Sequence, residues 1–328
     1  MSSTDHNSLE ALSFVARERL RQSAYFDAEF PGKNRYKDMA FRLQPDDKHL
    51  NLAAAIRDVA VRYIEDKEIA WHIHANHALS SQVCCLNFLM PLAEQPKMLS
   101  RVIGEALRIA EPEMLEIEPG PDGRPWFVGF EWNGRADYLN EAGVRGTRTR
   151  GSNSTSADAV VRFRHCGRNE TLLIEWKYTE SYGQPISSTG NLTRTRRYEN
   201  LVFPPDGPIR NELGVRLGDF FYEPFYQLLR QQMLAFQMQR AKEDGADRVR
   251  VLHIAPAANL ALRKVTSPTL TRFGDDAFAV FQSLLSLPED FVSRSTESLF
   301  GPFMSDTKVA NGWAAYLARR YVFLGDAS

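Results

Sequence analysis

Apolar residues recur every three or four positions through much of the first 110 residues, the spacing that lines one face of a helix. Leu9, Leu12, Ala16 and Leu20 predict a helix over 8–25, and Leu52, Ile56, Val59 and Tyr63 predict another over 52–63. Residues 80–92 read as an apolar helix with Ser80 or Ser81 as its cap and a stop near Pro91. A further helix is expected over 99–110. After Pro112 the pattern changes to strands, 114–118 and 126–132, joined by a Pro/Gly-rich turn over 119–125. Two β-rich runs follow, 157–163 and 171–178, separated by the polar, glycine-bearing stretch 165–170, which predicts a hairpin. Residues 183–218, rich in Gly, Pro and Arg, read as one long loop placed to close over a ligand. Pro224 then opens a helix running to about Lys242, with Phe225, Leu228, Leu229, Met233 and Phe236 as its core stripe, and Arg248–Ala255 reads as a buried strand. Strand, helix, strand at this spacing predicts an α/β protein with a right-handed crossover. The first 70 residues read as a helical extension packed on the core, since no Gly/Ser linker follows them, and 71–328 as the main domain.

Composition narrows the classes. A chain of 328 residues can bury ample core. Its 43% hydrophobic and 25% charged residues are those of an ordinary globular protein, so no fibrous or disordered class is indicated. No apolar run reaches the length of a membrane span and the polar start MSSTDHNSLE is not a signal peptide, so no membrane association is expected. Cys84, Cys85 and Cys166 make neither a C-x-x-C nor an even framework, which points to a reducing cytoplasm. The net charge of −1 hides an asymmetry. Residues 105–141 carry nine acids against three arginines, whereas 142–216 carry twelve Lys/Arg against seven acids. Arg145, Arg148 and Arg150 in that basic segment, with Arg194, Arg196 and Arg197, are candidates for contact with backbone phosphates; the competing account is a set of solvated loops.

The same segment holds the most distinctive chemistry, STSADAVVRFRHCGRNETLLIEWKY over 154–178. Successive strand residues face opposite ways, so Glu175 and Lys177 share a face while Ile174, Trp176 and Tyr178 take the other. Asp158 lies 17 positions before Glu175, a separation that a strand, a short turn and a strand can close. Two carboxylates held side by side repel each other, and a site that keeps both ionised suits a divalent cation. Few protein ligands, all of them hard oxygens, suit Mg²⁺, with Mn²⁺ able to substitute. Lys177 would then serve the attacking water in phosphodiester hydrolysis.

An Asp on one strand, a hairpin, then Glu-x-Lys on the next resembles the PD-(D/E)XK nuclease superfamily, with its restriction-endonuclease-like fold. Asp158, Glu175 and Lys177 stand at the motif positions, and Ala157 stands where the motif name has proline. The wider text around Arg150-Gly151-Ser152 and Glu175-Trp176-Lys177-Tyr178 is similar to an uncharacterised bacterial branch of such proteins, over about 72–321. The resemblance implies a restriction-endonuclease-like core, a mixed sheet flanked by helices, and a metal held by Asp158, Glu175 and the carbonyl of Trp176. It also implies DNA as substrate, and a homodimer is compatible, since cutting both strands takes two sites.

A fourth polar group is expected at the site, with Glu141, Glu131 and Gln82 as candidates. Gln227 and Gln231 join them from the helix after Pro224, where Gln227, Arg230 and Gln231 form a polar row. The competing constellation is His72-x-His74-x-x-His77, which could share a zinc or iron ion, though no further histidine lies near it in sequence. No nucleophile elbow and no G-x-x-x-x-G-K-[ST] occurs, so Ser or Cys catalysis and an ATP-driven motor are not indicated. A nuclease-like fold that binds nucleic acid or a partner protein without cutting, and an inactive scaffold, remain the alternatives.

Overall fold

The computed structural model describes residues 12–142, 146–305 and 312–325. Its centre is a six-stranded mixed sheet. Strand β1 (Glu113–Leu115) is followed by a small two-stranded ribbon, β2 (Glu118–Pro119) with β3 (Pro125–Trp126), and then by β4 (Val128–Trp132). Both β1 and β4 pair antiparallel with β5 (Ala157–His165), β1 along 162–164 and β4 along 157–161. Cys166 and Gly167, both with positive φ, turn β5 into its antiparallel neighbour β6 (Arg168–Trp176). Beyond it β7 (Arg248–Ala255) runs parallel to β6, and β8 (Phe291–Ser295) parallel to β7.

Nine helices are described: α1 (Phe14–Glu29), α2 (Arg57–Asp66), α3 (Ser81–Leu89), α4 (Pro96–Leu107), α5 (Asn191–Val202), α6 (Phe225–Arg240), α7 (Ala277–Leu284), α8 (Thr296–Ser305) and α9 (Gly312–Arg320). The period-two alternation of β6 divides them into two layers. Leu172, Ile174 and Trp176 enter a core with α2, α3, α4, α8 and α9, while Leu173 enters a second core with α6 and α7. Each large side chain so buried contributes on the order of 1.5–3 kcal/mol of transfer free energy. This is the α/β architecture expected: a central mixed sheet flanked by helices, with a helical segment at the N-terminal end.

Several elements differ from the pattern reading. Residues 8–11 of the first expected helix lie outside the described residues. The observed α1 buries Phe14, Glu18, Gln22 and Phe26, while Leu12 and Leu20 of the expected stripe are 39% and 52% exposed. Polar contacts set its rotation: Tyr178 Oη donates to Glu18 Oε2 at 2.5 Å, and Gln22 Nε2 donates to the Arg320 carbonyl at 2.8 Å. The second helix begins at Arg57 after a 3₁₀ turn, Ala54–Ile56. Ser80 caps α3 by accepting from Val83 N–H, and Pro91 falls in the 3₁₀ turn Met90–Leu92 as the stop. The fourth helix runs over Pro96–Leu107. The strand expected over 114–118 divides into β1 and β2, and that over 126–132 into β3 and β4, because Phe127 N–H leaves the ladder to donate to the Ala93 carbonyl. The stretch 183–218 is not all loop, since α5 lies within it, burying only Tyr198 and Val202. In α6, Phe236 is half-buried under Arg240, and Leu234, Ala235 and Met238 complete the core face instead.

Candidate active site

The site is built where β4, β5 and β6 end together. Ala159 pairs with Ile174, so the register carried one step further sets Asp158 across from Glu175. There the ladder yields to a side chain: Trp176 N–H donates to Asp158 Oδ2 at 2.7 Å. On the other side, Phe130 pairs with Ala159 and Trp132 with Ala157, which brackets Glu131 beside Asp158. The pleat breaks at that point, since Phe130 and Ala159 belong to one core and Trp132 and Ala157 to the other. Glu131 has φ +50°, a conformation that L-residues with bulky side chains rarely hold. Gly151 makes room for it: a Cβ there would lie 3.0 Å from the Glu131 carboxyl carbon and 3.1 Å from the Ala70 carbonyl.

Glu175 is 1% exposed and Lys177 8%, and Lys177 Nζ lies 2.5 Å from Glu175 Oε1. The strand ends at Trp176, but Lys177 N–H still donates to the Ile254 carbonyl, which keeps the two side chains on one face as expected. Burial would lower the basicity of the Lys177 ammonium; Glu175 first, then Tyr182 and Asp158, outweigh it and hold the amine charged. Burial also pushes the Glu175 carboxyl up, with Asp158 adding to the rise and Lys177 opposing it. Asp158 is raised for the same first reason, against the pull of Lys177 and the Trp176 N–H. Glu131 is raised by burial and then by Asp158. Three carboxyl groups thus feel one another around one ammonium, and burial with mutual repulsion favours their protonated forms until a cation offsets it.

Amides orient these acids. Gln231 Nε2 on α6 donates to Glu175 Oε2 at 2.8 Å and to the Ser156 carbonyl at 2.7 Å. Gln82 Nε2 on α3 donates to Glu131 Oε1 at 2.8 Å, while Gln82 Oε1 accepts from His72 N–H. Of the expected fourth groups, Gln82, Glu131 and Gln231 therefore join the cluster. Gln227 lines a cleft of about 440 Å³ that also exposes Asp158 and Lys177. Glu141 stands apart, accepting from Thr155 N–H, Thr155 Oγ1 and Tyr198 Oη.

The three histidines line the same 440 Å³ cleft rather than a separate centre. Their nitrogens diverge. His77 Nδ1 accepts from Leu79 N–H, His74 Nδ1 lies 3.4 Å from Arg42 Nη2, and His72 Nε2 lies 3.4 Å from Glu131 Oε1. Pattern reading did not link His72 to Glu131, although His72 stands ten residues before Gln82, which touches both. Among the described residues no three His, Cys, Asp or Glu side chains gather closely enough to hold a metal, which removes the shared zinc or iron site from consideration.

The Asp158 and Glu175 carboxylates could hold a hard cation. Glu175 Oε1 is buried without a hydrogen bond of good geometry, despite its ion-pair contact with Lys177. A pair of carboxylates suits the oxygen-rich, water-completed shell of Mg²⁺ and not the closed N/S shell of zinc.

The candidate arginines separate. Arg194 and Arg197 line a groove of about 410 Å³. Arg148 is spent on the carbonyls of Asn133 and Gly134. Arg150 is bound to Glu118, to Tyr63 Oη and to the Phe130 carbonyl, so it braces β4. Arg196 is exposed on α5 outside the groove, and Arg145 lies outside the described residues. No helix is long and apolar enough to cross a membrane among the described residues.

Compared with known proteins, the chain has no match among curated proteins and none among solved structures. A family model does match, over residues 16–322, nearly the whole chain and every element of the site just described. The chain belongs to the family described as Restriction Endonuclease associating with ARP.

Proposed function

We propose that the chain is a metal-dependent nuclease of the PD-(D/E)XK type that hydrolyses DNA phosphodiester bonds. Membership of a restriction-endonuclease family makes a nuclease role the starting point. The observation that carries the finer reading is the buried Glu175–Lys177 pair across the ladder from Asp158, at the carboxyl ends of β6 and β7 where α/β sheets present their ligand sites. Asp158, Glu175 and the Trp176 carbonyl would hold Mg²⁺ or Mn²⁺, which supplies Lewis-acid stabilisation of the charge developing on phosphate. Lys177, kept charged by its neighbours, orients the attacking water and offsets negative charge near the scissile bond. Gln231 fixes the Glu175 carboxylate in one orientation, and Gln82 does the same for Glu131.

In this reading the first 70 residues are a helical extension of a nuclease domain over 71–328, and a homodimer supplies the two sites needed to cut both strands. Three thiols without a disulfide suit a cytoplasmic setting. The family description also names an association with ARP, so ARP belongs to the proposal as a partner.

One observation favours a second reading. Glu175 already has Lys177 and Gln231 as protein partners, as it would in a module that binds nucleic acid without cutting. Plasmid and linear DNA incubated with the protein, with and without Mg²⁺ or Mn²⁺, separate the two. The nuclease nicks or cuts only with metal, and Asp158→Ala and Lys177→Ala bind but do not cut. Cleavage by Asp158→Ala at the wild-type rate ends the proposal; binding without cleavage under every metal selects the second reading.

A further inference from the structure

We infer that the groove between α5 and α6 is a binding track for the sugar–phosphate backbone of a nucleic-acid strand, with Arg194, Arg197 and Arg230 as its phosphate contacts and Tyr226 as the ring that spaces them. This rests on the nuclease reading and says where the strand runs on either side of the scissile bond.

Four observations carry it. First, the charges converge from two elements. Arg194 and Arg197 stand three apart on α5, and Tyr226 and Arg230 stand four apart on α6, spacings that put each pair on one helix face. All four line the 410 Å³ groove. Second, two guanidinium groups approach a single ring: Arg194 lies 5.4 Å and Arg230 4.8 Å from the Tyr226 centroid. A ring face attracts one cation, but bringing two to it leaves like charges close together, and an anion between them removes that cost.

Third, among the described residues neither guanidinium donates to a carboxylate, although the Arg230 charge is felt by Glu223. Arg194 donates to the carbonyls of Ser187 and Thr189 and to Asn191 Oδ1, and Arg230 Nη1 donates to Thr155 Oγ1 at 3.3 Å. None of these acceptors is charged. Arg230 Nε is buried without a hydrogen-bond partner. Glu141, the acid in the groove wall, is taken up by Thr155 N–H, Thr155 Oγ1 and Tyr198 Oη, the last at 2.6 Å. Fourth, the groove adjoins the site. Thr155, which Arg230 touches, is three residues before Asp158, and Gln231, the residue after Arg230, donates to Glu175 Oε2 at 2.8 Å. A phosphate on Arg230 is therefore a neighbour of the one at the acids, as successive phosphates of one strand are.

The track separates residues that charge counting treats alike. Arg194 and Arg197 belong to it, Arg230 joins it from another helix, and Arg148 and Arg150 do not.

The test is the salt dependence of binding. A labelled duplex and a labelled single strand are titrated with the full-length protein in EDTA, so that binding is read without cleavage, at several salt concentrations. Neutralising one phosphate contact, by Arg197→Gln or Arg230→Gln, lowers the slope of log K against log salt by about 0.9 on duplex or 0.7 on single strand. Arg230→Lys keeps the charge and restores the slope, which separates lost contact from lost fold. Lys97→Gln, an exposed charge removed from α4, leaves it unchanged. Wild-type slopes in both Arg→Gln variants, with nucleic acid still bound, overturn the track and leave the nuclease reading standing. Inorganic phosphate competing as well as the strand, phosphate for phosphate, also overturns it, because the groove is then a free-anion site. Failure of the wild type to bind either strand overturns the nuclease reading together with the track.

Discussion

At the scale of single residues, the site depends on buried acids whose partners are amides. Gln231 is the clearest case, because its one amide nitrogen serves both Glu175 and the main chain ahead of Asp158. Gln231→Ala leaves a buried carboxylate oxygen and a carbonyl without a donor, and should cost about 1–3 kcal/mol in denaturant unfolding while lowering cleavage. Gln231→Glu, nearly isosteric, replaces the donor with a fourth carboxyl group and should cost more; equal stability of the two variants contradicts the charge argument. His253 gives a pH signature. It pairs with Glu175 in register, stacks 4.0 Å from Phe278 and meets Ser293 Oγ at 3.2 Å, and burial pushes its pKa down to about 3. The native imidazole stays neutral while the unfolded one takes a proton near pH 6.5. Its contribution is therefore full above about pH 6.5 and is lost as the pH falls from there toward 3. His253→Phe keeps the stack and removes the titration, so its melting temperature should fall less steeply than the wild type's over that window. Parallel curves would refute the assignment.

At the scale of elements, the hairpin β5–β6 was legible because local pattern alone specifies it: β-rich runs, a Gly turn and a period of two. The amphipathic α6 was legible for the same reason. What escaped was governed by contacts distant in sequence. The rotation of α1 follows from Glu18 and Gln22, which face inward to meet Tyr178 and the Arg320 carbonyl, so polar residues occupy the buried face and leucines the exposed one. Helix α5 escaped because it buries only two side chains, too few to make a stripe. The break in β4 at Glu131 escaped as well, since nothing local requires a positive φ there. That break can be tested through its partner. Gly151→Ala puts a methyl at φ +74° against the Glu131 carboxyl and should cost about 1–3 kcal/mol, with a matching fall in melting temperature. An unchanged melting temperature would mean that Glu131 is free to move away.

At the scale of the molecule, the first and last described helices close over the same core. Arg320 on α9 is 1% exposed; it donates to Asn51 through both the main-chain carbonyl and Oδ1, to Gln22 Oε1, and to Tyr316 Oη at 2.7 Å. One guanidinium thus ties α1, the turn before α2, and α9. Arg320→Ala leaves several buried acceptors without donors and should cost at least about 3 kcal/mol by chemical denaturation, with the α1 amides losing hydrogen-exchange protection alongside those of α9. Loss of protection confined to α9 would show that the segments are not coupled through this residue.

Taken alone, the amino-acid order determined the α/β class, the β5–β6 hairpin and the shared face of Glu175 and Lys177, because those follow from periods of two and 3.6 and from turn chemistry within short windows. It also named Gln82, Glu131 and Gln231 as candidates without ranking them. Tertiary structure alone decided that these three meet the acids while Glu141 does not, that three histidines wall one cleft without converging, and that Arg150 is a brace whereas Arg230 faces a groove. Strand register and helix packing set those distances, and both depend on pairings between residues tens to hundreds of positions apart.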